Sequence, residues 1–185
     1  MKGYYQNPEA TAEAITTIDG ARAFRTGDKG KLDANGVLTI TGRIKEQYKL
    51  SNGKFVVPGN MENALMASRY IEQAYIFGRD RPHNVALLVP NFAALAAELE
   101  GASVDAKTLL RDHGDEVRQL LEKATESANA SKDVKHYEAV KNFAILDEPF
   151  STDNGLLTPK LSMKRPAVEK KYATLLEELY ANEDS

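Results

Sequence analysis

The chain has no cysteine in its 185 residues, which excludes disulfides, thiolate metal sites and a cysteine nucleophile. Its three histidines, His83, His113 and His136, stand far apart without ligand spacing, so no histidine metal site is expected. Neither sign of charge dominates. The formal net charge is −3 with acids and bases mixed along the chain, which makes no electrostatic case for nucleic acid or an anionic membrane. No apolar run approaches bilayer length and the N-terminus lacks a signal peptide's apolar stretch, so no transmembrane segment and a cytoplasmic location are expected. What is present is core-forming material: 42% apolar against 28% charged residues specifies packing rather than disorder. The length suits one compact domain with some extra chain, or two small units.

Residues 8–18, PEATAEAITTI, suit a short helix with Pro8 in its first turn and acids near its start. FRTGDKGKLDANGVLTITG, residues 24–42, reads as two strands joined at Asn35-Gly36. Val37, Thr39 and Thr41 alternate there with Leu38 and Ile40, the period of a half-buried strand. IKEQYKLSNGKFVVP, residues 44–58, gives a second hairpin turning at Ser51-Asn52-Gly53. A helix over 60–68 with Asn60 as its cap follows, then strands over 71–79 and 83–91 separated by a polar turn. A helix ended by Gly101, a longer one over about 112–130, a third strand over 140–150 and a closing helix from Pro166 complete the pattern. The second half is therefore α+β, a small three-stranded sheet with flanking helices. The first 42 residues hold one helix and one hairpin, too little to bury a core, and read as the edge of a domain otherwise missing.

Several polar residues stand where rigid elements end. Asp28 closes the turn Arg25-Thr26-Gly27-Asp28, where Gly27 permits a positive φ and a sharp turn. A carboxylate held there can accept hydrogen bonds from both hydroxyls of a ribose, and a turn aspartate bonding its own backbone explains it equally. Arg43 ends the first hairpin, where its fork can bridge hydroxyls or a phosphate, or simply face solvent. Lys45 and Lys49, in an extended segment, would share a face with Arg43 and Gln47, as a cationic site or as lysines guarding an edge strand. Lys160 and Lys164 lie in a loop stiffened by Pro159. An ammonium there can stabilise charge developing at a phosphoryl centre, or merely aid solubility.

The order and spacing of these stretches carry a resemblance. GYYQNPEAT (3–11), FRTGD (24–28), GRIKEQYKLSNGKFVVP (42–58), MENAL (61–65), YIEQAYIFG (70–78) and GLLTPKLSMKR (155–165) together resemble the C-terminal part of the AMP-forming acyl-CoA synthetases. That is the adenylate-forming superfamily, and the long-chain fatty acid–CoA ligases look most similar. The resemblance implies that residues 1–44 are the end of a large N-terminal AMP-binding domain and 45–185 a small mobile lid. It implies that Asp28 and Arg43 hold the adenylate ribose and that Lys45 is the hinge. Lys49 matches a lysine of the second half-reaction, and Ser51, Asn52 and Gly53 line the CoA tunnel.

The implied reaction has two steps. A fatty carboxylate attacks the α-phosphate of Mg2+-bound ATP, giving acyl-AMP and pyrophosphate; after the lid turns, CoA displaces AMP. The long-chain ligases usually carry their catalytic lysine where this chain has Ser162, so the role falls to Lys160 or to Lys164. The phosphate loop, adenine motif and acyl tunnel lie upstream in the family. The chain is thus expected to be a fragment, expressed or encoded in shortened form, inactive alone and binding no cofactor or metal tightly. Its partners would be the missing N-terminal domain, fatty acid, ATP and CoA, with no nucleic acid. Two other readings remain: a separate non-catalytic module binding a nucleotide or partner, and a ligase for another carboxylic acid.

Overall fold

The computed structural model describes residues 1–100 and 102–181, so the glycine expected to end a helix at Gly101 lies outside the described residues. The chain divides into two compact units, Met1–Gln47 and Tyr48–Ser185.

The first unit begins with α1 (Pro8–Ala14), capped by Asn7, whose side-chain oxygen accepts from the Ala10 N–H. The helix expected to run to residue 18 stops at Ala14. The β-branched run Ile15-Thr16-Thr17-Ile18 forms β1 (Ile15–Ile18) instead, paired antiparallel with β2 (Ala21–Phe24). Asp19 and Gly20 join them with φ of 51° and 78°, the two left-handed residues of a type I′ turn. A second hairpin was therefore hidden in a stretch that reads as helix. β3 (Asp28–Leu32) and β4 (Leu38–Arg43) form the expected hairpin across Asn35-Gly36. The Asp33 carboxylate accepts from the N–H groups of Asn35 and Val37 and holds that turn.

The expected half-burial of this strand fails. Leu38 and Ile40 are each 58% exposed, and among the described side chains of residues 1–47 none is buried. A two-stranded ribbon has no second layer to cover it.

The second unit opens with a small hairpin, β5 (Tyr48–Lys49) and β6 (Phe55–Val56). α2 (Pro58–Met66) follows. It starts earlier than the expected cap at Asn60, because Pro58, with fixed φ and no N–H to satisfy, takes the first helical position. β7 (Ile71–Phe77) pairs antiparallel with β8 (Asn84–Pro90). Three helices then cross over: α3 (Phe92–Glu98), α4 (Ala106–Asp112), not expected from periodicity, and α5 (Gly114–Asn129). Asp105 caps α4 by accepting from the Thr108 N–H. The crossover delivers β9 (Val140–Ile145) parallel to β8, giving the order β7-β8-β9. The closing helix is two, α6 (Arg165–Lys171) and α7 (Ala173–Ala181), broken at Tyr172.

The sheet is the middle of three layers, and β8 is buried along its whole length. Its alternate residues serve two cores. Ala86 and Leu88 pack with Met61 and Leu65 of α2, Leu95, Leu109 and the Val117–Leu121–Ala124 face of α5. Val85, Leu87 and Val89 pack on the other side with Leu156, Leu157, Val168, Leu176 and Leu179. A strand apolar on both faces is what a centre position with helices above and below requires. Among the described residues no helix is long and apolar enough to cross a membrane.

Candidate functional site

In the first unit Asp28 and Arg43 are register partners at the open end of the β3–β4 hairpin. The Arg43 guanidinium lies 3.3 Å from the Asp28 carboxylate, with the arginine side chain 67% and the aspartate 28% exposed. Gly27, at φ 75°, makes the turn that starts β3, and its carbonyl accepts from the Ile44 N–H. The hairpin thus aligns a carboxylate with a guanidinium on one rigid rung, both reachable from solvent.

Beyond Arg43 the strand ends. Ile44–Glu46 form a single 3₁₀ turn, with the Gln47 N–H donating to the Ile44 carbonyl. The extended cationic face expected from Arg43 to Lys49 is therefore absent. A 3₁₀ turn rotates each residue by about a third of a circle, not a half. Lys45 stands exposed in that turn.

Lys49 belongs to the second unit. It is exposed on β5, with its ammonium over the ring of its cross-strand partner Phe55. Ser51, Asn52 and Gly53 form the β5–β6 turn where a hairpin turn was expected, and all three are exposed. The Gly53 N–H donates to Leu50, the Leu50 N–H to Lys54, and Gly53 takes a left-handed φ of 85°. This is a three-residue hairpin loop, a turn followed by one αL residue. Two hydrogen bonds strap the hairpin to the β7–β8 turn: the Ser51 N–H to the Arg81 carbonyl and the Asp80 N–H to the Lys49 carbonyl.

The segment bearing Lys160 repeats that design. Leu157 and Met163 form an antiparallel bridge, the Thr158 N–H donates to Ser162 and the Leu161 N–H to Thr158. Leu161 occupies the αL position at φ 59°. Lys160 sits at the exposed tip, after Pro159. The expectation of an extended loop, in which Lys160 and Ser162 would share a side, is corrected: residues 159–161 turn, and Met163 beyond them bridges back to Leu157. Lys164 is exposed immediately before α6, its N–H donating to the Leu156 carbonyl.

The two loops make a matched test. Gly53→Ala puts a Cβ no nearer than 3.6 Å to Lys49 Cε, so only the left-handed backbone objects, and about 1 kcal/mol of stability should be lost. Leu161→Gly relieves the same conformation and should not destabilise. Urea denaturation of each variant reads both signs.

Four side chains beneath the Lys160 loop carried no role in the sequence. Glu62, on α2, accepts from the Ile76 N–H of β7 with one carboxylate oxygen (3.0 Å) and from Arg165 with the other (2.7 Å). Arg165 lies over the ring of Tyr75, whose hydroxyl donates to Glu169 at 2.9 Å. Burial, then the Glu169 carboxylate, pushes the Tyr75 hydroxyl pKa far up, so it stays a neutral donor. The available signal was Glu62 itself, a carboxylate set between Met61 and Leu65 on the buried face of its helix.

The profile of the AMP-binding enzyme C-terminal domain matches residues 45–184. The long-chain-fatty-acid–CoA ligase FadD15 of Mycobacterium tuberculosis is 36% identical over 183 residues, covering 99% of this chain and 30% of that protein. Long-chain-fatty-acid–CoA ligase 1 of Cavia porcellus is 34% identical over 184 residues, covering 98% of this chain and 26% of that one. The chain thus spans less than a third of these relatives. Among solved structures, the adenylation domain of a carboxylate reductase from Mycobacterium chelonae matches with TM-score 0.76 at 28% identity, over 97% of this chain and 26% of that one. The corresponding domain from Segniliparus rugosus, in complex with AMP and a co-purified carboxylic acid, matches with TM-score 0.72 at 29% identity, again over 97% and 26%. Folded as these domains fold and matched along most of its length, the chain belongs to the AMP-binding enzyme C-terminal domain family.

Proposed function

We propose that the chain is the C-terminal portion of a long-chain fatty acid–CoA ligase, with residues 1–44 ending its large domain and 45–185 forming a mobile lid. The observation that carries this reading is the Asp28–Arg43 rung, a carboxylate and a guanidinium aligned by strand register at a solvent-facing hairpin end. Such a pair suits a ribose: the carboxylate accepts from vicinal hydroxyls while the guanidinium donates. In the first half-reaction a fatty carboxylate attacks the α-phosphate of Mg-ATP, pyrophosphate leaves, and Lys160, with Lys164 as the alternative, stabilises the charge developing on the phosphoryl oxygens. In the second, the lid turns about Lys45, Lys49 and the Ser51–Gly53 turn face the site, and CoA thiolate displaces AMP from the acyl carbon.

Two further features support this division. The compact units separate between Gln47 and Tyr48, close to the proposed hinge. The first unit exposes Ile18, Phe24, Leu32, Leu38 and Ile40, the surface a larger domain would cover. The assay is fatty-acid-dependent pyrophosphate release. This chain alone should release none above background, and its fusion to the upstream two-thirds of a relative such as FadD15 should restore release. Release by the chain alone overturns the reading.

A further inference from the structure

Burying an ion pair is an expensive way to hold two elements together. Each ion loses several kcal/mol of hydration, and well-packed apolar replacements are often as stable or more so. The Glu62 and Arg165 side chains are 11% and 15% exposed, and they meet at 2.7 Å, linking α2 of one core to α6 of the other around β7. Apolar packing could hold each helix to its own face of the sheet without them. What apolar packing cannot do is fix an angle and a distance, and directional bonds do that.

The directions all converge on one place. Glu62 is tied to the backbone of β7 through the Ile76 N–H, so its carboxylate is referenced to the sheet. Arg165 is the first residue of α6 and follows Lys164 directly. Its guanidinium is held on two sides, by the Glu62 carboxylate and by the Tyr75 ring, 5.3 Å to the centroid. Glu169, one turn along α6, takes the Tyr75 hydroxyl. The start of α6 is thus clamped to β7 at both ends of one aromatic side chain. On the other arm, Leu156 and Leu157 are buried in the core, and the Lys164 N–H closes the loop onto the Leu156 carbonyl. Between those arms only residues 158–162 project, with Lys160 at the tip.

We infer that Glu62 and Arg165 are positioning residues that set where the Lys160 prong points for acyl-adenylate formation, an inference resting on the function proposed above. As positioning residues they act through the loop and not on substrate, and the Ser51–Gly53 turn has a strap of its own, to Asp80 and Arg81. The two loops are thus bonded to the unit at different points.

Two measurements test this, the first without activity. In the present chain, amide hydrogen exchange of Glu62→Gln and of the milder Arg165→Lys should show Leu161 and Lys164 losing protection about tenfold or more, with Leu88 and Leu121 unchanged. Unchanged loop protection, or loss spread equally over the core, overturns the positioning role whatever the protein catalyses. In the fused full-length ligase the same variants should lower kcat for pyrophosphate release roughly 10- to 100-fold. KM for ATP and thioester formation from preformed acyl-adenylate should change less than about threefold. Equal loss in both half-reactions overturns the inference. Inactivity of the unsubstituted fusion would overturn the proposed function instead, leaving the exchange result to judge the anchor.

Discussion

Lys160→Ala in the full-length ligase should slow fatty-acid-dependent pyrophosphate release by about 10²- to 10³-fold, the loss typical of removing one preorganised charge from an anionic transition state. Thioester formation from preformed acyl-adenylate should stay within about twofold, because the second step as proposed above does not use the prong. The physical case is the turn. Pro159 and the αL Leu161 hold Lys160 at the apex of a loop whose base is bonded from both strands, so its ammonium reaches outward from a fixed origin. Lys164→Ala is the control. That side chain leaves from the extended arm, at the foot of α6, and its removal should affect adenylation less. A larger loss at Lys164 transfers the role to it; equal loss of both half-reactions in Lys160→Ala, or none, removes Lys160 from the chemistry.

The elements that were legible in the sequence are those whose signal is local. Asn35-Gly36 fixed one hairpin, and β8 is a seven-residue strand whose unbroken apolar run matches burial on both faces. The errors were local competitions decided otherwise. In residues 8–18 an alanine-rich helix pattern runs into Ile15-Thr16-Thr17-Ile18, and Asp19-Gly20 supplies a hairpin turn that outweighs further helix. Around α2 a good cap residue, Asn60, lost to a proline better suited to the first turn. The exposure of Leu38 and Ile40 was not legible in their alternation, which reports which face is apolar and not whether anything covers it; only the shortage of core material in the first 42 residues pointed that way.

The site divides in the same way. That Asp28 and Arg43 belong together was implied by the family resemblance and not by either residue alone, and the hairpin register supplies the physical reason that they meet. The side relation of Lys160 to Ser162 was not readable, because it depends on whether residues 159–161 extend or turn. Glu62 and Arg165 are 103 residues apart, and no periodicity joins two charges at that separation. Only the packing of α2 and α6 around β7 brings them together.

Asp28→Ala separates function from stability most sharply. The pair it breaks is largely solvent-exposed on the arginine side, and exposed ion pairs contribute only about 0–1 kcal/mol. Urea denaturation of the variant should therefore shift little. In the full-length ligase proposed above, the same change would delete the acceptor assigned to two ribose hydroxyls. Hydrogen bonds to a charged group are worth about 1.5–3 kcal/mol each, so kcat/KM for ATP should fall roughly 10²- to 10⁴-fold. Arg43→Ala should fall less, because the carboxylate keeps its rigid place on β3 while the arginine side chain, 67% exposed, is the more mobile partner. A wild-type kcat/KM in Asp28→Ala would mean that the nucleotide is held elsewhere. A stability loss matching the activity loss would mean that Asp28 serves the hairpin rather than the ribose.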